Sequence, residues 1–280
     1  MKYAGLIGSP VAHSLSPRMH NAAFKTLGIE ARYDLWETPA EELEARVQSL
    51  RAAEMFGANV TIPYKEAVLP WLDECDPQAA RIGAVNTIVN RSGRLIGYNT
   101  DAPGFLCALR EHAGPELDLA GKHAVILGNG GAARGAAMAL LDCQIRALSI
   151  LGRNRQHVEE LVEHLHRESN TSRVDGILLG TPEVRECLAK ADLMINTTSL
   201  GLKSGDEMAP IEVGALPRSA LVMDMIFNPP MTLLLRAAHE HGCSVLNGLS
   251  MLLYQGTLAF ELWTGQNAPV DVMRAALDLK

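Results

Sequence analysis

Short β-branched and aliphatic runs alternate along the whole chain with longer stretches whose apolar residues recur at helical spacing. Residues 2–8 (KYAGLIG), 31–37 (ARYDLWE) and 57–62 (GANVTI) read as strands. Between them a helix opens at Pro17 and runs through Leu27, where Gly28 stops it. A second helix is predicted over residues 39–52 (PAEELEARVQSLRA), with proline at its start and acids in its first turn, as the macrodipole favours. Two further runs, 84–89 (AVNTIV) and 94–100 (RLIGYNT), flank a Ser92-Gly93 turn. A second alternating set begins near Lys122. It comprises KHAVILGNGGAARGAAMALLD, RALSILGRN, a charged helix at residues 156–167, and the runs DGILLG, DLMINTTS and ALVMDMI. Such alternation implies mainly parallel sheets with helical crossovers. The break between the sets falls at residues 101–121, where DAPGFLCALREHAG reads as a linking helix. The last long helix, LSMLLYQGTLAFELWTG, follows Gly248 and is apolar enough to need a second surface, which a return to the first domain would supply.

Composition narrows the class. A chain of 280 residues, 48% hydrophobic and 20% charged, has material for one large or two ordinary globular domains. The net charge of −7 argues against a nucleic-acid binder, which needs a concentrated basic face. Five scattered cysteines without a Cys-x-x-Cys pair fit neither a disulfide framework nor a zinc site, and suit a reducing cytoplasm. The nine histidines show no metal-binding spacing, so no metal is expected. The longest apolar stretch, residues 132–150, is interrupted by Arg134, Asp142, Gln144 and Arg146 and is no membrane span. The opening segment is broken by Gly5, Gly8 and Pro10, and reads as a first strand rather than a signal peptide. These readings together describe a soluble, cytoplasmic α/β protein.

The string AVILGNGGAARG changes the picture most. A buried strand ends at Gly128, Gly130 and Gly131 permit a tight turn, and small residues from Ala132 open a helix. Without side chains in the way, a diphosphate can approach backbone N–H groups at the helix N-terminus. NAD sites usually place an acid about 20 residues further on, against the ribose 2′-hydroxyl. Here that position reads Leu151-Gly152-Arg153-Asn154-Arg155. A guanidinium pairs with a 2′-phosphate where a carboxylate would repel it, so Arg153 points to NADP, with NAD left open.

A nicotinamide cofactor implies hydride transfer, which needs a group to supply or remove a proton at the substrate oxygen. Lys65, just after Pro63 in NVTIPYK, is the candidate. Proline ends the ladder because it has no N–H, which would release the lysine from the core into a cleft. Asp101, following another strand in GYNTD, is its candidate partner, with a helix N-cap as the plainer role.

At this point eight strings occur in one order over nearly the whole length. They are GSPVAHSLSPRMHNAAF, NVTIPYK, GAVNTIV, GYNTDAPGF, LGNGGAAR, INTTSLG, MDMIFNPPMTLLL and GLSMLLYQGTLAFELWTG. Together they resemble the shikimate dehydrogenase family, which includes quinate-using members. The resemblance implies a split substrate-binding catalytic domain (residues 1–104 and 248–280) and a Rossmann-type NADP-binding domain (residues 105–247), with the active site between them. It implies a catalytic pair in Lys65 and Asp101. Ser14 and Ser16 would hold the substrate carboxylate, and Thr61, Asn86 and Gln255 its hydroxyls. Gly128, Gly130, Gly131, Ala132, Arg153, Asn154 and Gly248 would bind the cofactor.

The partner implied is a small molecule, shikimate or 3-dehydroshikimate, acted on by a monomer or homodimer. Three positions depart from the family pattern. The clamp Asn-Arg-Thr reads Gly152-Arg153-Asn154, Asn129 stands where a small residue is usual, and Phe227 stands where tyrosine is frequent. Asn129 is expected to be tolerated because asparagine accepts turn conformations. A preference for quinate or a related polyol acid, with NAD, stays open at this level. A non-catalytic ligand sensor stays open too, although such a protein would be expected to have lost Lys65 and Asp101.

Overall fold

The computed structural model describes residues 1–169, 172–202 and 211–279. They form two compact units, Met1–Cys107 with Ser250–Lys280, and Ala108–Leu249.

The first unit is built from β1 (Lys2–Gly8), α1 (Ser16–Thr26), β2 (Ala31–Glu37), α2 (Leu43–Ser49), β3 (Gly57–Val60), β4 (Glu74–Cys75), α3 (Pro77–Ile82), β5 (Thr87–Arg91) and β6 (Arg94–Tyr98). The helix α4 (Asp101–Ala113) leads out of it. Six strands pair in the order β2-β1-β3-β5-β6-β4. Only β5 runs against its neighbours, so the mainly parallel arrangement read from the sequence holds, with the Ser92-Gly93 turn closing one antiparallel hairpin. One face of this sheet packs Ile7, Val60, Ile88 and Leu95 against Leu43, Val47 and Leu50.

Two local expectations are corrected. The helix predicted over residues 39–52 splits into a 3-10 turn at Ala40–Glu42 and the shorter α2. Its C-terminal end is pulled away because the Ala52 carbonyl accepts from the Asn90 side-chain amide and from Met55 N. The strand predicted to stop at Pro63 already ends at Val60, so proline is not what terminates the ladder.

The second unit continues from α4 with β7 (His123–Leu127), α5 (Gly131–Asp142), β8 (Ala147–Gly152), α6 (Arg155–Glu168), β9 (Arg173–Leu178), α7 (Pro182–Leu188) and β10 (Leu193–Asn196). It closes with β11 (Leu221–Asp224), α8 (Leu233–His241) and β12 (Ser244–Leu246). Its strands lie in the order β12-β11-β10-β7-β8-β9, every pair parallel. Strand order therefore reverses between β7 and β10, the switch point where doubly wound sheets open a crevice at their carboxyl edge.

The chain then enters α9 (Leu249–Thr264) and α10 (Val270–Ala276). The first of these returns to the first unit as its apolar sequence requires, burying Leu253, Ala259, Phe260 and Trp263 there. The division between units falls inside α4 and after Leu249, a few residues beyond the expected limits at 104/105 and 247/248, and it leaves Gly248 in the second unit. No helix among the described residues is long and apolar enough to cross a membrane.

Candidate active site

The segment from Thr61 to Lys65 leaves β3 under firm backbone control. Thr61 N donates to Ile7 O (2.8 Å), Tyr64 N to Thr61 O (2.9 Å), and Val85 N to Lys65 O (2.8 Å). The Tyr64 hydroxyl anchors the turn from the other side by donating to Thr38 O (2.8 Å). What remains free to project is the Lys65 side chain. Its ammonium donates to Asp101 Oδ2 at 2.5 Å, with only 13% of the lysine side chain and 8% of the aspartate exposed. Asp101 is the first residue of α4, where a negative charge meets the positive end of the helix dipole.

Asn86 organises the other side of the pair. Its amide donates to Asp101 Oδ1 (2.8 Å) and Thr100 Oγ1 (3.0 Å), and reaches Gln255 Oε1 at 3.5 Å. Its carbonyl oxygen accepts from Thr100 N (2.7 Å). Gln255 is held by donating to Leu252 O (2.8 Å), and α9 lies so close to α4 that a Cβ on Gly104 would stand 2.8 Å from Gln255 N. Four of the predicted residues, Lys65, Asp101, Asn86 and Gln255, thus meet in one cluster.

The two serines form a second group. Ser14 Oγ and Ser16 Oγ are 3.2 Å apart, and Ser16 N donates to Ser14 Oγ (3.2 Å). A separate chain of polar contacts begins at Tyr33. Tyr33 OH donates to Asn59 Oδ1 (2.9 Å), Asn59 Nδ2 donates to Thr87 Oγ1 (3.0 Å), and the Thr87 and Thr100 hydroxyls lie 3.1 Å apart. Tyr33, Asn59, Thr87 and Thr100 are all buried and partnered, which in a low-dielectric interior fixes their orientations. Thr61 shares no hydrogen bond with either group among the described residues; its backbone bonds Ile7 and Tyr64, and its methyl stands where a Cβ on Gly8 would fall.

Sequence reasoning missed Tyr33, Asn59, Thr87 and Thr100. A signal was available in the repeated pairs Asn86-Thr87 and Asn99-Thr100, each at the end or start of a strand. Tyr33 in turn stacks on His20, ring centroids 4.4 Å apart. His20 is fully buried and neither ring nitrogen has a partner, and burial holds its pKa down at about 3, so it is a neutral packing residue.

In the second unit the glycine loop follows β7. Gly128, with φ +117°, is the residue that needs to be glycine, and a Cβ there would strike the Thr197 hydroxyl. Gly130 instead caps α5 at φ −89°, with no atom nearby to meet a Cβ, and Gly131 is the first helical residue. Asn129, expected to be tolerated in the turn, has no positive φ, and the left-handed residue of the loop is Gly128.

Arg153 and Asn154 follow β8. Arg153 is exposed, and Asn154 caps α6 by accepting from His157 N (3.2 Å). Gly248 follows β12, donates to Ile226 O (3.1 Å), and lies so tightly on Met225 that no side chain fits. All these positions therefore lie at the carboxyl ends of parallel strands. Empty space over Gly130, a left-handed glycine at the strand end and no acid after β8 together fit a dinucleotide carrying a 2′-phosphate. Among the described residues no group of three or more His, Cys, Asp or Glu could hold a metal ion.

A six-stranded parallel unit with such a loop, joined to a mixed unit carrying a buried lysine–aspartate pair, defines the class of two-domain dinucleotide-dependent dehydrogenases. The comparisons make it particular. Residues 6–88 match the model of the shikimate dehydrogenase substrate binding domain, residues 110–203 that of shikimate / quinate 5-dehydrogenase, and residues 248–277 that of the shikimate 5′-dehydrogenase C-terminal domain. A shikimate dehydrogenase (NADP(+)) of Symbiobacterium thermophilum is 47% identical over 97% of this chain and 92% of its own. The structure of a Thermus thermophilus shikimate 5-dehydrogenase in complex with NADP(H) and shikimate superposes with a TM-score of 0.85 at 38% identity, covering 99% of each chain. That of a Corynebacterium glutamicum quinate dehydrogenase in complex with NAD has a TM-score of 0.88 at 30% identity, covering 98% of each chain. The chain belongs to the shikimate dehydrogenase family.

Proposed function

We propose that the chain catalyses the reversible NADP-dependent reduction of 3-dehydroshikimate to shikimate. The observation that carries this reading is the Lys65–Asp101 pair at 2.5 Å, held by Asn86 and Gln255. NADPH, when bound, supplies the hydride that reduces the C3 carbonyl carbon. Lys65 donates a proton from its ammonium to the carbonyl oxygen as that oxygen becomes an alcohol, and in the oxidative direction the neutral amine takes the proton back. Asp101 positions the ammonium and balances its charge, while the Asn86 amide fixes the carboxylate and, with Gln255 and Thr61, offers hydrogen bonds to the ring hydroxyls. Ser14 and Ser16 hold the substrate carboxylate with neutral donors.

In this reading Met1–Cys107 with Ser250–Lys280 is the substrate-binding domain and Ala108–Leu249 the cofactor domain. Gly128, Gly130, Gly131, Ala132 and Gly248 keep the diphosphate and nicotinamide path free of side chains, and Arg153 with Asn154 faces the 2′-phosphate. A cytoplasmic monomer or homodimer completes the proposal, in keeping with five free cysteines.

The test is initial rates for shikimate and quinate, each with NADP⁺ and NAD⁺, for the wild type and Lys65→Ala. Turnover is expected to be fastest with shikimate and NADP⁺. The variant is expected to lose about 10²–10⁴-fold in kcat while still binding shikimate. A variant within a few-fold of the wild type would remove Lys65 from the chemistry. A preference for quinate with NAD⁺ would overturn the substrate and cofactor assignment instead.

A further inference from the structure

The second unit carries one polar side chain that the reading above does not use. Asn129, between Gly128 and the N-cap Gly130, is half-buried and has no hydrogen-bond partner among the described residues. Its amide lies across the end of the neighbouring strand, with Nδ2 3.8 Å and Cγ 4.0 Å from where a Cβ on Gly152 would be. Gly152 itself cannot supply a side chain, because that Cβ would stand 2.5 Å from Cγ2 of Val158, which is only 2% exposed.

The carboxyl end of this second strand is where doubly wound folds meet the adenosine ribose at its 2′ position. The other donors there divide in the same way. Arg155 is paired with Glu159 (3.6 Å), and Asn154 is oriented by the helix cap, its side-chain oxygen accepting from His157 N (3.2 Å). Arg153 is exposed and has no hydrogen-bond or ion-pair partner among the described residues. A free guanidinium and a free amide thus border one strand end. An amide N–H₂ donates well to a phosphate oxygen, and adds a directional bond where the guanidinium supplies charge.

We propose that Asn129 is a cofactor-specificity residue, donating through its side-chain amide to the ribose 2′-phosphate beside Arg153. This rests on the reading that the glycine loop binds NADP. It assigns a role to a loop position whose expected function was only to tolerate a turn.

The experiment is calorimetric titration of the full chain and of Asn129→Ala and Asn129→Asp with NADP⁺, NAD⁺ and adenosine 2′,5′-bisphosphate. A hydrogen bond to a charged acceptor is lost in Asn129→Ala, so its affinity for NADP⁺ and for the bisphosphate is expected to fall about tenfold. NAD⁺, which has no 2′-phosphate, is expected to stay within about twofold, and its binding also shows that the variant is folded. Asn129→Asp keeps the shape and adds a charge, so NADP⁺ is expected to fall further than in the alanine variant while NAD⁺ does not. Equal losses for NADP⁺ and NAD⁺ would place the amide on a group the two share, and unchanged affinities would leave it a surface residue. Either result overturns the inference with the NADP reading intact. A wild type that binds neither dinucleotide would overturn both.

Discussion

At the scale of single residues, the site and its support obey opposite rules. The Lys65–Asp101 contact was legible because each residue is a charge placed a few residues after a strand, where a pattern of buried residues gives way to polar ones. His20 was not legible. It sits in a helix whose spacing says only that one face is buried, and nothing in that spacing tells that both ring nitrogens lack partners. Its energetic consequence is specific. Burial lowers its pKa from the ordinary 6.5 to about 3, so as the pH falls below 6.5 the unfolded chain takes up a proton that the folded chain refuses. Stability is then lost at about 1.4 kcal/mol per pH unit until the pH reaches the folded value. Asp224 acts in the other direction. Desolvation raises its pKa to about 6 despite bonds from Thr232, Ile226 and Asn196, so its contribution declines as the pH rises from 3.8 towards 6. A comparison of variants at His20 cancels that term. We expect His20→Leu to lose about 2 kcal/mol less stability than the wild type between about pH 7.5 and about pH 5. Urea unfolding followed by tryptophan fluorescence measures this, since Trp263 lies 5.3 Å from His20. Equal losses in the two proteins would mean that His20 is protonated without unfolding.

Elements position the site by how closely they approach one another. The contact of α4 with α9 sets where Gln255 stands relative to Asn86, and it is close because Gly104 has no side chain. A glycine inside a helix lowers helix stability, which marks a close approach in the sequence without naming the partner. We expect Gly104→Ala to push against α9 backbone, since the added Cβ would stand 2.8 Å from Gln255 N and 3.1 Å from its Cα. Overpacking of this kind costs about 1–3 kcal/mol. The Asn86–Gln255 contact, already 3.5 Å long, should open, so KM for shikimate should rise while the affinity for NADP⁺ stays unchanged. Steady-state kinetics with calorimetric cofactor binding checks both halves. An unchanged KM would mean that Gln255 is not in the substrate site.

The same scale explains where sequence reading stopped. Strand limits and the glycine loop follow from local spacing, so β1, β2 and the β7–α5 turn were read almost to the residue. The network from Tyr33 through Asn59, Thr87, Thr100 and Asn86 to Asp101 joins residues from separate strands, loops and a helix, and no local pattern encodes which of the polar residues in β-rich segments will face one another.

The whole molecule distributes its aromatic residues unevenly, and that makes its two units separately observable. All three tryptophans (Trp36, Trp71, Trp263) and all five tyrosines (Tyr3, Tyr33, Tyr64, Tyr98, Tyr254) lie in Met1–Cys107 or Ser250–Lys280. The second unit has Phe227 as its single aromatic residue, and its core of Val125, Leu127, Met194, Val222 and Leu234 is aliphatic. Tryptophan fluorescence therefore reports the proposed substrate domain alone, whereas far-ultraviolet circular dichroism sees both. A ligand at about 100 times its Kd stabilises the unit that binds it by about 2.7 kcal/mol. On the proposed assignment, shikimate should raise the midpoint of the fluorescence-detected melt. NADP⁺ should instead raise a dichroism transition that tryptophan does not see. Two units of similar size, each with its own sheet and core, make separate transitions the physical expectation. If NADP⁺ moves the fluorescence midpoint as far as the dichroism midpoint, the units melt as one cooperative body and the split in the fold is not a split in energy. If shikimate moves only the fluorescence-silent transition, the substrate site has been assigned to the wrong unit, and the Lys65–Asp101 pair loses its catalytic role.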